Sequence, residues 1–256
     1  MDRRQNNYIK KTYRLLVFAA FLSVVGFAYT AYNARNDLRK QSDTEVATPK
    51  KEVVQSDTPQ VKGDTVQIKD SASLPVPYTL QGPLNNLNVH EESCEEAAVL
   101  MYHYFLEGQL TFNGSTIITP QLANDEMLKM KAWQVKNYGK EPDLSIEQLG
   151  LFAQQYYGYK YKTFKNVTKD DIKREISAGH PVLVPVMTHS LKNPMYGPQT
   201  TYHILVIKGY NAQNVIANDA GIRGESIQYS WDTVFSAIDA QTPKMGQGRE
   251  MVILTK

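Results

Sequence analysis

The sequence predicts an α+β domain, a helical half followed by an antiparallel sheet, carried on an N-terminal appendage. Two observations support this class. Apolar residues recur at helical spacing between about positions 94 and 178, and beyond 180 the pattern changes to short apolar or alternating runs separated by Gly, Asn and Asp. With 256 residues, 42% hydrophobic and 21% charged, the composition is that of one globular domain plus appendages.

The appendages come first. Residues 1–14, MDRRQNNYIKKTYR, carry five basic residues against one acid, and LLVFAAFLSVVGFAYTAY at 15–32 holds eighteen residues without a charge. At about 1.5 Å of rise per residue, that run is just long enough to cross roughly 30 Å of hydrocarbon as a helix. A cleaved signal peptide is the competing reading. Ala28-Tyr29-Thr30 is a poor cleavage site, however, and Tyr29 and Tyr32 suit an interfacial anchor. The denser basic cluster precedes the segment, whereas only Arg35, Arg39 and Lys40 follow it, so the N-terminus is expected in the cytoplasm and the remainder outside. The expectation is a single-pass cell-membrane protein, or a secreted one if the segment is removed.

Residues 33–73 are polar and lack helical periodicity, as in SDTEVATPKKEVVQSDTPQVKGD, and read as a flexible linker. Within it, TVQIK at 65–69 suits an edge strand or plain linker equally well. Residues 74–256 then form the folded domain. Its first helix runs from Cys94 to Glu107, with Ala97, Ala98, Met101, Tyr102 and Phe105 on one face, and Ser93 with Glu96 has the pattern of a capping box. Further helices are expected at Gln121–Lys131, at Ile146–Tyr156 after Ser145, and at Lys169–Ala178 before Gly179. Strands are expected at 181–187, 202–210, 214–219, 225–231 and 249–255, with a helix at Asp232–Asp239 between the last two. The site is expected in a cleft between the helical and sheet parts.

Several function classes are excluded. Without the +4 of the first fourteen residues the overall +2 becomes about −2, so no basic surface remains for nucleic acid. The acids and histidines show no His-Glu-x-x-His spacing and there is no glycine-rich phosphate loop, so no metal or cofactor is expected. A single cysteine permits no internal disulfide, and a lone exported thiol calls for an explanation.

Cys94 stands at the predicted first turn of a helix, where main-chain amides and the helix dipole favour a thiolate. The plain alternative is a small buried hydrophobe. Glu91, Glu92, Glu95 and Glu96 surround it and would oppose the thiolate if turned inward, so a positive partner is required. Of the five histidines, His203 opens the apolar strand ILVIKGY after the loop SLKNPMYGPQTTY, which suits a ring at the mouth of a cleft; His90, His103, His180 and His189 have blander settings. The chain turns at Gly209-Tyr210-Asn211 and returns through NVIANDAG, which brings Asp219 back toward His203. A carboxylate there would orient the imidazole, although an Asp before Ala-Gly also simply forms turns.

Taken together, VPYTLQGP at 76–83, HEESCEEAAVLM at 90–101, PVLVPV at 181–186, and YHILVIKGYN with NVIANDAG resemble the peptidase family thirty-nine-like domains. These are papain-fold cysteine peptidases related to leader peptidases that cut after a double glycine. The resemblance spans about Leu74 to Lys256, and it implies a papain-like fold with Cys94 as nucleophile, His203 as base, Asp219 as the orienting acid and Gln81 as oxyanion-hole donor. Two positions depart from the family pattern: Cys94 is followed by Glu95-Glu96 rather than Gly-Pro, and Asp219 by Ala220-Gly221 rather than Pro-Gly. The activity implied is cleavage of a peptide or protein through an acyl-enzyme on Cys94, without metal or cofactor. Hydrolysis of cell-wall peptides or acyl transfer by the same triad is an alternative, and a non-catalytic peptide-binding domain is another. The loop Ser190–Thr201, with Pro194, Tyr196 and Pro198, is expected to border the substrate groove.

Overall fold

The computed structural model describes residues 66–256 apart from Gln199 and Gln247. The basic tail, the segment at 15–32 and the linker up to residue 65 lie outside the described residues. Among the described residues no helix is long and apolar enough to cross a membrane.

A seven-stranded antiparallel sheet is the frame. Its strands are β1 (Ala72–Ser73), β2 (Lys160–Lys165), β3 (Val182–Met187), β4 (Tyr202–Tyr210), β5 (Asn214–Asp219), β6 (Gly224–Ser230) and β7 (Glu250–Thr255). They lie in the order β2-β7-β3-β4-β5-β6, and β1 joins β4 at Tyr210 and Gly209, beyond the end of β3. Four helices pack on this sheet, α1 (Cys94–Leu106), α3 (Ile146–Tyr157), α4 (Lys169–Ser177) and α5 (Trp231–Met245), and α2 (Pro120–Tyr138) packs on α1.

Every residue of β3 and β4 is buried, because helices cover both faces of the sheet. Leu183, Met187, Ile204, Val206 and Leu254 face the core shared with α1, α2 and α3. The alternate residues Val182, Val184, Leu205, Ile207 and Ile253 face α4 and α5. The unbroken apolar runs that mark these strands in the sequence are the mark of two-sided burial. This amends the expected arrangement of a helical half followed by a sheet, since α4 and α5 back the sheet on the face opposite α1–α3.

Boundaries shift for identifiable reasons. Helix α2 continues past Lys131 to Tyr138 and stops at left-handed Gly139, and α5 continues past Asp239 to Met245, carrying Pro243 in its last turns. Strand β2, absent from the expected elements, pairs with β7 from Lys160↔Thr255 to Lys165↔Glu250. Its sequence KYKTFK does alternate, but with lysine on the open side, as suits a sheet edge. Of TVQIK, the described part from Val66 forms no strand. The chain nevertheless joins the fold ahead of Leu74, through β1 and through Lys69, whose carbonyl accepts from Tyr210 Oη at 2.8 Å.

The capping box expected at Ser93 and Glu96 does not form. Ser93 donates instead to Glu141 Oε1 at 2.8 Å, and Glu96 is buried with Gln134 Nε2 at 2.5 Å from its Oε1. Such boxes do close at the other two helices with the sequence signal or a close relative of it, Ser145 with Gln148 on α3 and Thr168 with Asp171 on α4.

Gly209 marks where β1 passes close over β4: a Cβ there would meet Ala72 O at 2.6 Å and Ser73 Cα at 3.0 Å. Main chain cannot swing aside as a side chain can. Gly209→Ala is therefore expected to detach β1 and to lower stability by about 1–3 kcal/mol, read as a shift in the urea midpoint.

Candidate active site

The cleft opens where the start of α1, the mouth of β4 and the end of β5 converge. Cys94, His203, Gln81, Tyr196 and Gly221 line it, and Glu91, Glu92, Asp143 and Lys244 stand along its walls. The four residues singled out in the sequence are thus gathered in one region, with Asp219 buried directly behind His203.

The acid–imidazole pair is built by the β4–β5 hairpin. Antiparallel pairing of Val206 with Asn218 carries Asp219 to the end of β5, where its Oδ1 lies 3.0 Å from His203 Nε2. The other imidazole nitrogen, Nδ1, is left as the one available for chemistry in the cleft. Both side chains are buried, and Asp219 is held at each oxygen: Oδ1 accepts from Tyr196 Oη and from Gly221 N at 3.2 Å, and Oδ2 accepts from Tyr229 Oη at 2.8 Å. Burial pushes the Asp219 carboxyl up, but the donors from His203 and the two tyrosines outweigh it and hold it below the ordinary aspartate value. The tyrosines are correspondingly pushed up, first by their own burial and then by the adjacent carboxylate.

Tyr196 and Tyr229 as Asp219 partners were not legible in the sequence. Tyr196 lies in the loop expected to border the groove, and with Met195 it does line the cleft; Tyr229 is one of the alternating residues of β6 and carries no distinguishing signal. Gly221 is required by close approach, since a Cβ would sit 2.8 Å from Tyr196 Oη and 3.2 Å from His203 Cε1. The Asp219-Ala220-Gly221 turn therefore keeps its glycine where imidazole and phenol converge.

At Cys94 the expectation and the structure part. The helix start was expected to lower the thiol's pKa. Instead burial, then the neighbouring Glu95 carboxylate, push the thiol well above its ordinary value. The thiol donates to Glu95 Oε2 at 2.8 Å and its sulfur also accepts from the main-chain N–H of Ile204; no hydrogen bond joins it to His203. Of the four glutamates, Glu91 and Glu92 line the cleft, while Glu95 and Glu96 are turned inward and buried. Glu95 Oε1 accepts the main-chain N–H of Leu144 at 2.8 Å. Burial, then Glu95, push the Glu96 carboxyl well above its ordinary value, which favours its neutral form.

Gln81 reaches the cleft on the loop before α1. Its amide nitrogen donates to the main-chain carbonyls of His90 and Glu91, each at 2.8 Å, and its main-chain N–H donates to Ala220 O at 2.8 Å. Both side-chain partners are pure acceptors, so the nitrogen must face them. In this state Gln81 fastens the loop before Cys94 to the turn after Asp219. Of the other histidines, His90 is buried between Ser93 and Asn124, His103 stacks on Tyr157 with ring centroids 4.0 Å apart, and His180 pairs with Glu175. His189 lies in the loop after β3 and, like them, is outside the cleft lining. Among the described residues no group of His, Cys, Asp and Glu is arranged to hold a metal ion.

A profile of the Peptidase_C39-like family matches residues 73–243. The chain belongs to that family. This makes it, in general terms, a relative of cysteine peptidases. A solved structure described as a C39-like peptidase from Bacillus anthracis is also similar, with 12% sequence identity and a TM-score of 0.46; the match covers 73% of this chain and 99% of that one. No functionally curated protein matches the chain at a significant level.

Proposed function

We propose that the chain is a thiol-dependent peptidase that cleaves peptide bonds through an acyl-enzyme on Cys94. The observation that carries the reading is the single cleft shared by Cys94 and by a histidine already paired with a buried carboxylate. Membership of a family of cysteine peptidases supports it.

In the proposed reaction His203 Nδ1 takes the thiol proton and the sulfur attacks the substrate carbonyl carbon. Asp219 holds the imidazole by Nε2 and stabilises its cationic form. The oxyanion forms near the main-chain N–H of Cys94, and Gln81 turns one amide hydrogen from its present carbonyl partner toward it. Such a donor contributes a few kcal/mol to the transition state. The imidazolium returns its proton to the leaving amine as the C–N bond breaks. Water then gives a proton to His203 while its oxygen attacks the thioester, and the acid product leaves as the thiol re-forms.

The surroundings of the cleft favour an extended substrate. It adjoins a second hollow with which it shares Leu87, Met195 and Gly221, and that hollow shares Leu80, Asn85 and Arg223 with a third. Leu87 and Met195 are exposed apolar side chains along this path, as suits a run of several peptide residues. The apolar run at 15–32 supports placing the enzyme at a cell membrane with the catalytic domain outside.

Incubating the protein with a mixed peptide library and reading products by mass spectrometry tests the activity. Cleavage at a consistent residue pattern is the expected result. A library left intact by protein whose Cys94 still alkylates would overturn the peptidase reading.

A further inference from the structure

The group in contact with the nucleophile's sulfur is one that the proposed reaction does not use. Glu95 is 1% exposed and lines no part of the cleft, so it cannot touch substrate before the sulfur does. Its two oxygens are fixed, Oε2 by the Cys94 thiol and Oε1 by Leu144 N, each at 2.8 Å. A buried carboxylate placed for stability would be expected to carry a cation partner. Among the described residues Glu95 has none: Lys131 pairs with Glu141 at 2.5 Å, and Lys244 with Asp143 at 2.7 Å.

We propose that Glu95 is a catalytic residue that governs the proton on Cys94, its ionised form holding a resting thiol and its protonated form holding the reactive thiolate. This rests on the reading of Cys94 as the nucleophile. At rest the S–H donates to the Glu95 carboxylate, and His203 is neutral. When Glu95 takes one proton from solvent, the bond reverses and the carboxyl O–H donates to sulfur. The thiol's own proton passes to His203 Nδ1. The site gains one proton in total, and no electrons are transferred.

The charges around Glu95 fit this role. Cys94 and Glu96 face it from its own helix, and Asp143 from the segment before α3. Behind Glu96 stand Glu141 and, from α2, Lys131 with the neutral Gln134; Lys244 of α5 sits on Asp143, and His203 of β4 lies across the cleft. The Asp143 carboxylate is the neighbouring charge that favours proton uptake by Glu95. Burial is the main cause that holds the Glu95 carboxyl up at about 7, with the bonds from Cys94 and Leu144 opposing and Asp143 adding to the rise. The reversal therefore falls near neutral pH.

The sign distinguishes this device from an ordinary cysteine, whose alkylation speeds up as pH rises. In the full-length protein, the rate of Cys94 alkylation by iodoacetamide is expected to fall roughly fivefold to tenfold between pH 6 and pH 8, as one proton leaves the site. Glu95→Gln keeps an oxygen for Leu144 N and an amide donor for the sulfur at every pH. That variant should alkylate at a nearly constant rate over the same range. A wild-type rate that climbs steadily from pH 6 to pH 8, or a fall that persists in Glu95→Gln, would overturn the proposal. The wild-type profile decides the matter even if the variant fails to fold. Alkylation reads the thiol whether or not peptides are cut, so failure of the peptidase reading would show separately, as an intact library beside the expected pH profile.

Discussion

Replacing Cys94 with alanine is expected to reduce peptide turnover by about 10⁴-fold or more, because removal of the proposed nucleophile, which acts in concert with a base, leaves only binding and oxyanion stabilisation. The fold should survive the change. Alanine suits the first turn of a helix, and the lost atoms comprise one small sulfur. The bond broken runs to Glu95 Oε2, while Oε1 keeps the Leu144 amide. A stability change of about 1 kcal/mol is expected, so thermal melting and turnover, measured on the same sample, separate chemistry from unfolding. Turnover equal to the wild type would show that the acyl-enzyme forms on another group, or not at all.

Asp219→Ala should damage both activity and stability. The aspartate accepts from His203, Tyr196, Tyr229 and the Gly221 amide, and it is fully buried. Alanine would leave these donors facing a cavity, with an expected loss of about 3–5 kcal/mol. Asp219→Asn preserves the volume and one acceptor oxygen, and should cost less stability while still reducing turnover by about 10⁴-fold, since the imidazole loses the charge that supports its cationic form. The pH dependence has a definite sign. The folded-state pKa of Asp219 lies below the ordinary aspartate value despite burial, because its hydrogen-bond donors prevail. Its contribution is therefore complete above the unfolded value of about 4 and disappears as pH falls through the lower folded value. The stability gap between wild type and Asp219→Asn should be constant around pH 7 and narrow below about pH 4. Urea unfolding at a series of pH values measures it, and a gap that widens on acidification would contradict the assignment of charge.

What could be read from the chain alone was set by neighbours close in sequence. The apolar runs of β3 and β4, the capping residue Ser145, and the return of β5 on β4 all follow from the spacing of a few residues. Because a hairpin fixes register locally, Asp219 could be placed near His203 without any tertiary information. The two-sided cover of the sheet was not legible in the same way, since a buried strand does not record which helix packs on which face.

The protonation chemistry was decided elsewhere. Cys94 at a helix start suggests a stabilised thiolate by local rules, and Ser93 with Glu96 suggests a capping box. Both inferences are overturned by tertiary packing, which buries the thiol with Glu95 beside it and gives the carboxylates partners far along the chain. Glu95 is held by Leu144, 49 residues on, and Glu96 by Gln134, 38 residues on. The fate of a charged side chain depends on whether distant donors can replace water, and no short-range pattern encodes those donors. The sequence by itself determined five strands of the sheet, the helix starts and the identity of nucleophile, base and acid as candidates; only the tertiary structure added β1 and β2, turned Glu95 onto the sulfur and closed Tyr196 and Tyr229 on Asp219, because burial converts weak local preferences into obligatory partnerships.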